Sequence, residues 1–195
     1  MSNRQADIIK TMKDREILFH LYLTQIILLI LAIILGFILF DSFADFNSIW
    51  NISDVDILLV GGSVGMIVVI IDFIMMKVIP KRLYDDGGIN ERLFQHRNVI
   101  HSFFLCSLIA FSEEILFRGV IQTHFGIFIA SSIFALMHVR YLNRWILLIT
   151  VVCLSFLLGY IYEITENLWV TIFAHFIIDF VFALKIRRDF KKSMK

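Results

Sequence analysis

A chain of 195 residues that is 59% hydrophobic, only 18% charged and of mean hydropathy +0.83 cannot keep its apolar surface from water as a soluble domain. It reads as an integral membrane protein. Its formal net charge of +1 conceals a segregation of sign along the chain that is more informative than the total.

Six apolar segments are marked by length: Ile17 to Phe40, Val55 to Ile79, Asn98 to Gln122, Gly126 to Val139, Trp145 to Tyr162 and Leu168 to Leu184. The first is followed by no small-residue cleavage site and is expected to remain as a helix. No Gly/Ser-rich or Pro-rich linker divides the chain, whose only proline is Pro80, and no internal repeat is visible. The expectation is one membrane-embedded domain over 1–195. Within it, 17–97 supplies two N-terminal transmembrane helices and a cytoplasmic loop, and 98–184 the remaining apolar core.

Lys and Arg alternate from loop to loop. Arg4, Lys10, Lys13 and Arg15 precede the first segment, whereas Asp41 to Asp54 has none. Lys77, Lys81, Arg82, Arg92 and Arg97 crowd the second connection, and Thr123 to Phe125 has none. Arg140 and Arg144 mark the fourth connection, Glu163 to Asn167 has none, and Lys185, Arg187, Arg188, Lys191, Lys192 and Lys195 end the chain. The positive-inside rule then predicts an all-α, polytopic transmembrane bundle of about six helices with both termini cytoplasmic. The basic tail reads as a topology anchor beside anionic headgroups, so the bilayer is an expected partner and nucleic acid is not.

Cys106 and Cys153 lie in apolar segments far from any C-x-x-C spacing, and both are expected to be small core residues. The ionisable residues inside the apolar segments are the greater anomaly. Ser112-Glu113-Glu114-Ile115-Leu116-Phe117-Arg118 lies within the third segment, His138 follows Phe134 in the fourth, and Asp179 follows His175 in the last. Each such group at membrane depth costs roughly 2.5 to 3.5 kcal/mol on insertion scales, and the cost implies a use. Asp72, in the second segment, is read as a structural hydrogen-bonding group, and His20, His96, His101 and His124, near segment ends, as interfacial.

Helical rise brings these residues to one layer. If the third and fourth segments form a hairpin turning near His124, Glu113 lies about 16 Å and His138 about 21 Å below the turn. Entering from the same side, His175 lies about 10 Å and Asp179 about 16 Å down. Glu114 and Arg118 are i,i+4 neighbours that can pair, while Glu113 lies about 100° round the helix and can face another cavity. His175 with Asp179, and Phe134 with His138, share the same spacing.

These residues carry a resemblance. Glu113-Glu114-x-x-x-Arg118, then Phe134-x-x-x-His138, then His175-x-x-x-Asp179 resembles the signature of the CAAX prenyl endopeptidase and bacteriocin-processing family, also called the Abi family. Phe117-Arg118-Gly119 and the Asn167-Leu168-Trp169 ahead of Ala174-His175 agree with it, and the likeness covers roughly Phe111 to Phe182. The resemblance implies an intramembrane endopeptidase of glutamate type. Glu113 and His138 would hold and activate the attacking water, His175 and Asp179 would stabilise the oxyanion, Glu114 and Arg118 would form the structural pair, and Phe134 would touch substrate. Asp179 stands where the best-known prenyl proteases have Asn, and an acid there helps only if protonated or turned toward His175.

Amide hydrolysis needs a base for water, donors for the developing oxyanion and a proton for the leaving amine, and a carboxylate with a histidine supplies the first and third. Glu113 needs a cationic or hydrogen-bonding neighbour to stay basic in a low-dielectric site, and Arg118 and His138 are the expected ones. No serine has a G-x-S-x-G context. Glu and His side chains could bind zinc, but without an H-E-x-x-H no metal or other cofactor is expected. Two further function classes are a bacteriocin self-immunity protein of the same family and a transporter; the latter is disfavoured by the lack of an inverted repeat. The expected partner is a membrane-associated peptide or protein substrate, and the expected location a bacterial plasma membrane.

Overall fold

The computed structural model describes residues 11–138, 141 and 144–194. Lipid leaves no backbone polar group unsatisfied, and the described residues accordingly form helices and no strand. Helix α1 spans Asp14–Leu39, and the short α2 spans Phe43–Ser48. The second long element opens as a π-helix, Ile57–Gly62, and continues as α3, Ser63–Val78. Two short helices, α4 (Lys81–Tyr84) and α5 (Ile89–Phe94), follow. Helix α6, Val99–Glu114, runs into a second π-helix, Ile115–Gln122, and then into α7, Thr123–Met137. Helices α8, Trp145–Thr165, and α9, Leu168–Ser193, complete the bundle.

Among the described residues, five helical stretches are long and apolar enough to cross a bilayer: Asp14–Leu39, Ile57–Val78, Val99–Met137, Trp145–Thr165 and Leu168–Ser193. The third is not straight. Gly126 leaves the helix at φ 80°, ψ 168°, and beyond it α7 folds back along the π-helix. The Phe117 and Phe134 rings meet at 5.0 Å, although in a continuous helix these positions would lie about 25 Å apart. The third and fourth apolar segments are therefore the expected hairpin, with its reversal at Gly126. The fourth segment's expected end, Val139, lies outside the described residues, as do Arg4, Lys10, Arg140 and Lys195.

Polar contacts sort the connections to two ends. At one end Asn167, which caps α9, donates to the Asn51 carbonyl at 2.8 Å and to Asp54 at 3.1 Å, while the Leu168 amide donates to the Ile49 carbonyl. Thr123 and Tyr162 join there at 2.8 Å, and Phe40 packs on His124. At the opposite end Arg92 pairs with Asp14 at 2.9 Å, Lys81 with Glu91 at 2.8 Å, and His96 packs on Phe190. The described basic residues outside the site gather at this second end.

Close approach fixes the second long element against α9. A Cβ on Gly61 would sit 2.6 Å from the Val170 carbonyl oxygen, and one on Gly65 2.9 Å from that of Ala174. Both contacts advance by one helical turn, so the two helices run parallel. Elsewhere the apolar faces turn outward to lipid, as at Ile26, Ile30, Ile33 and Phe37 on α1. Cys106 is in the core as expected; Cys153 is exposed on α8, because it lies on that helix's outward face. Asp72 is half-buried and makes no hydrogen bond or ion pair among the described residues, contrary to the structural bond expected of it.

Candidate active site

The π-helix begins directly after Glu114, widening the helix where the two acids and the arginine project; such turns recur at functional sites. Glu114 is fully buried. Its Oε2 lies 3.4 Å from Arg118 Nε, its Oε1 accepts from His175 Nδ1 at 2.9 Å, and the Thr171 side chain also reaches it. Glu114 thereby ties α6 to α9 in mid-bundle.

Arg118 is buried by residues from three elements. Its Nη1 donates to Ser131 at 3.3 Å and Gln122 at 3.5 Å, its Nη2 donates to Ser155 at 3.0 Å, and its Cζ lies 5.5 Å from the Phe134 ring centre. A guanidinium removed from water needs this many acceptors and an aromatic face. Phe134 is only 4% exposed, and its ring is occupied by Arg118, Phe117 and His138.

His175 is the junction of the layer. With Nδ1 on Glu114, its Nε2 lies 3.6 Å from Asp179 Oδ2 and 4.0 Å from Glu113 Oε2. Glu113, whose side chain is 15% exposed, and Asp179, at 31%, are the accessible members. Arg118 feels the Glu113 charge, as expected, and the His175 ring adds a neighbour at 4.0 Å that spacing did not suggest.

His138 closes α7. Its Nδ1–H donates to the Phe134 carbonyl at 2.8 Å, which assigns the lone pair of the neutral ring to Nε2. Glu113 is one turn before Phe117 and His138 one turn after Phe134, so the Phe117–Phe134 contact registers Glu113 and His138 at the same level of the hairpin. Among the described residues no three His, Cys, Asp or Glu side chains are grouped to hold a metal ion.

The sequence reading passed over several polar residues that complete the layer: Gln122, Ser131 and Ser155 around Arg118, Thr171 at Glu114, and Gln25, whose amide meets Ser112 at 2.5 Å. Each is a polar residue in an apolar segment, and that was the available signal. A groove of about 890 Å³ is lined by Leu58 of the second long element, Phe103 and Phe111 of α6, and Ile172, Phe173 and Phe176 of α9.

The family whose sequence pattern matches residues 95–181 is described as type II CAAX prenyl endopeptidase Rce1-like. That interval contains all three motifs. The chain belongs to this family. It is also similar to the uncharacterised protein YpbD of Bacillus subtilis (strain 168), at 49% identity over 165 residues, covering 85% of this chain and 87% of the relative. No solved structure matches the chain. The Rce1-like family and the apolar helices support a CAAX-type, multi-pass membrane protein of a peptidase family.

Proposed function

We propose that this Rce1-like protein is an intramembrane endopeptidase of glutamate type that cuts a membrane-associated peptide or protein near a terminus, in a bacterial plasma membrane. The observation that carries the reading is the register of the hairpin, which levels Glu113 with His138 beside the buried Glu114–Arg118–His175 network. Glu113 takes a proton from water while His138 Nε2 accepts the second hydrogen, and the water oxygen attacks the scissile carbonyl carbon. His175 Nε2–H, with both ring nitrogens protonated in this role, donates to the resulting oxyanion, and Asp179 steadies the ring. Collapse of the intermediate breaks the C–N bond, and Glu113 returns its proton to the leaving amine.

Glu114 and Arg118 hold this arrangement without touching substrate, and Phe134 is the floor beneath Arg118 and His138. The apolar groove along α6 and α9 takes the hydrophobic part of the substrate. A chain this apolar reaches substrates already in the membrane, and the Bacillus relative supports the bacterial assignment.

Comparative peptidomics of membranes carrying wild-type protein or Glu113→Gln tests the proposal. The variant should accumulate normally, and its cleavage products should fall by about 10² to 10⁴, the usual worth of general-base help. Near-normal cleavage by Glu113→Gln would sink the mechanism, and protection from a bacteriocin by that same variant would favour non-proteolytic immunity.

A further inference from the structure

Gln25 lies on α1, outside the interval that carries the family pattern, and is only 2% exposed. It is the last polar residue before the apolar run Ile26 to Leu39. Gln25, Leu28 and Ala32 form one buried stripe, and Leu28 and Ala32 pack among Leu116, Phe117 and Phe134. Gln25 is one turn inward of Leu28, as Glu113 is of Phe117 and His138 is of Phe134. All three therefore share a level.

The contact with Ser112 has a particular hydrogen-bond chemistry. Ser112 Oγ lies 2.5 Å from Gln25 Oε1, 2.7 Å from the Leu108 carbonyl and 3.1 Å from the Ile109 carbonyl. One hydroxyl proton cannot serve three acceptors. Donation back to the Leu108 carbonyl is the ordinary use of a helical serine, and the two ends of an amide are exchangeable, so the satisfied arrangement turns Gln25 Nε2–H toward Ser112 Oγ. We propose that Gln25 is a positioning residue for the reaction proposed above: through Ser112 it fixes the turn that aims Glu113 at the attacking water. The first helix then contributes to the site's geometry.

The inference rests on the proteolytic reading, and the test separates the two. The substrate is a synthetic peptide spanning the most abundant Glu113-dependent cut found by peptidomics, with purified full-length protein in lipid nanodiscs. Gln25→Met and Ser112→Ala should each lower kcat per folded molecule by up to about 10²-fold, the effect of a small misplacement, with KM within about twofold. The double variant should be no worse than the poorer single, because both break one link, and Ser112→Thr, which keeps the hydroxyl, should retain activity. A purely structural role would lower abundance and leave kcat per folded molecule unchanged. Unchanged kcat in both single variants, or multiplicative losses in the double, overturns the inference alone; absence of any Glu113-dependent cut overturns it together with the proteolytic reading. Should Gln25→Met fail to accumulate, Ser112→Ala against Ser112→Thr decides by the same kcat comparison.

Discussion

Glu114 Oε1 and His175 Nδ1 lie 2.9 Å apart, both buried, on helices far apart in the chain. The bond leaves His175 Nε2 turned to Glu113 and Asp179, and Glu114 Oε2 turned to Arg118. One carboxylate is thus consumed by structure so that the adjacent one can be accessible. This division between neighbours in sequence follows from the 100° step of the helix.

Loss of either member of the buried pair should therefore act on folding as well as on turnover. Glu114→Gln and Arg118→Ala each strand the other charge, at a cost of roughly 3 to 5 kcal/mol. Both should lower membrane abundance and the unfolding midpoint in detergent, whereas Glu113→Gln should do neither. Equal abundance of all three would contradict the division of roles.

The contact between the first π-helix and α9 gives a second expectation. Gly61→Ala puts a methyl 2.6 Å from the Val170 carbonyl, and backbone cannot swing aside, so overpacking should cost about 1 to 3 kcal/mol. Gly36→Ala, with nothing within 4 Å, is the control and should leave the unfolding midpoint unchanged or slightly higher. A thermal melt of purified protein reads both.

The long elements were legible because lipid permits few backbone solutions and the apolar runs are uninterrupted. Helix α9 nevertheless continues to Ser193, past the expected Leu184, because helical hydrogen bonding persists into the basic tail after hydropathy falls. The i,i+4 pairs were legible from spacing alone, and so was the meeting of the three motifs in one layer. The partner of each side chain across helices was not: nothing in spacing says that His175 faces Glu114 at 2.9 Å, since that depends on how α9 is rotated against α6. Gln25 escaped notice for a related reason, as one polar residue on a lipid-facing helix acquires meaning only when its stripe is known to face the hairpin.

Metal dependence is a third test. His138 Nδ1 and His175 Nδ1 are committed to the Phe134 carbonyl and to Glu114, and among the described residues the remaining donors do not form a closed tetrahedral set. Prolonged dialysis of purified protein against a chelator should leave activity within a few-fold. Loss of activity, with recovery on adding zinc, would require a different mechanism for activating water.

The orientation of the bundle is the last expectation. The Asn167 end carries Asn51 and Asp54, whereas the opposite end carries Lys13, Lys81, Arg92 and the basic tail, so the positive-inside rule puts the latter in the cytoplasm. With Cys106 and Cys153 replaced, single cysteines at Asn47 and Glu163 should react with an impermeant maleimide on intact cells. Cysteines at His96 and Ser193 should react only after permeabilisation. Glu163 is chosen over Glu166 because Glu166 holds φ at 48°, where a substitution would disturb the turn itself. Labelling of Ser193→Cys from outside would invert the bundle, and Glu113 and His138 would then be reached from the other face of the membrane.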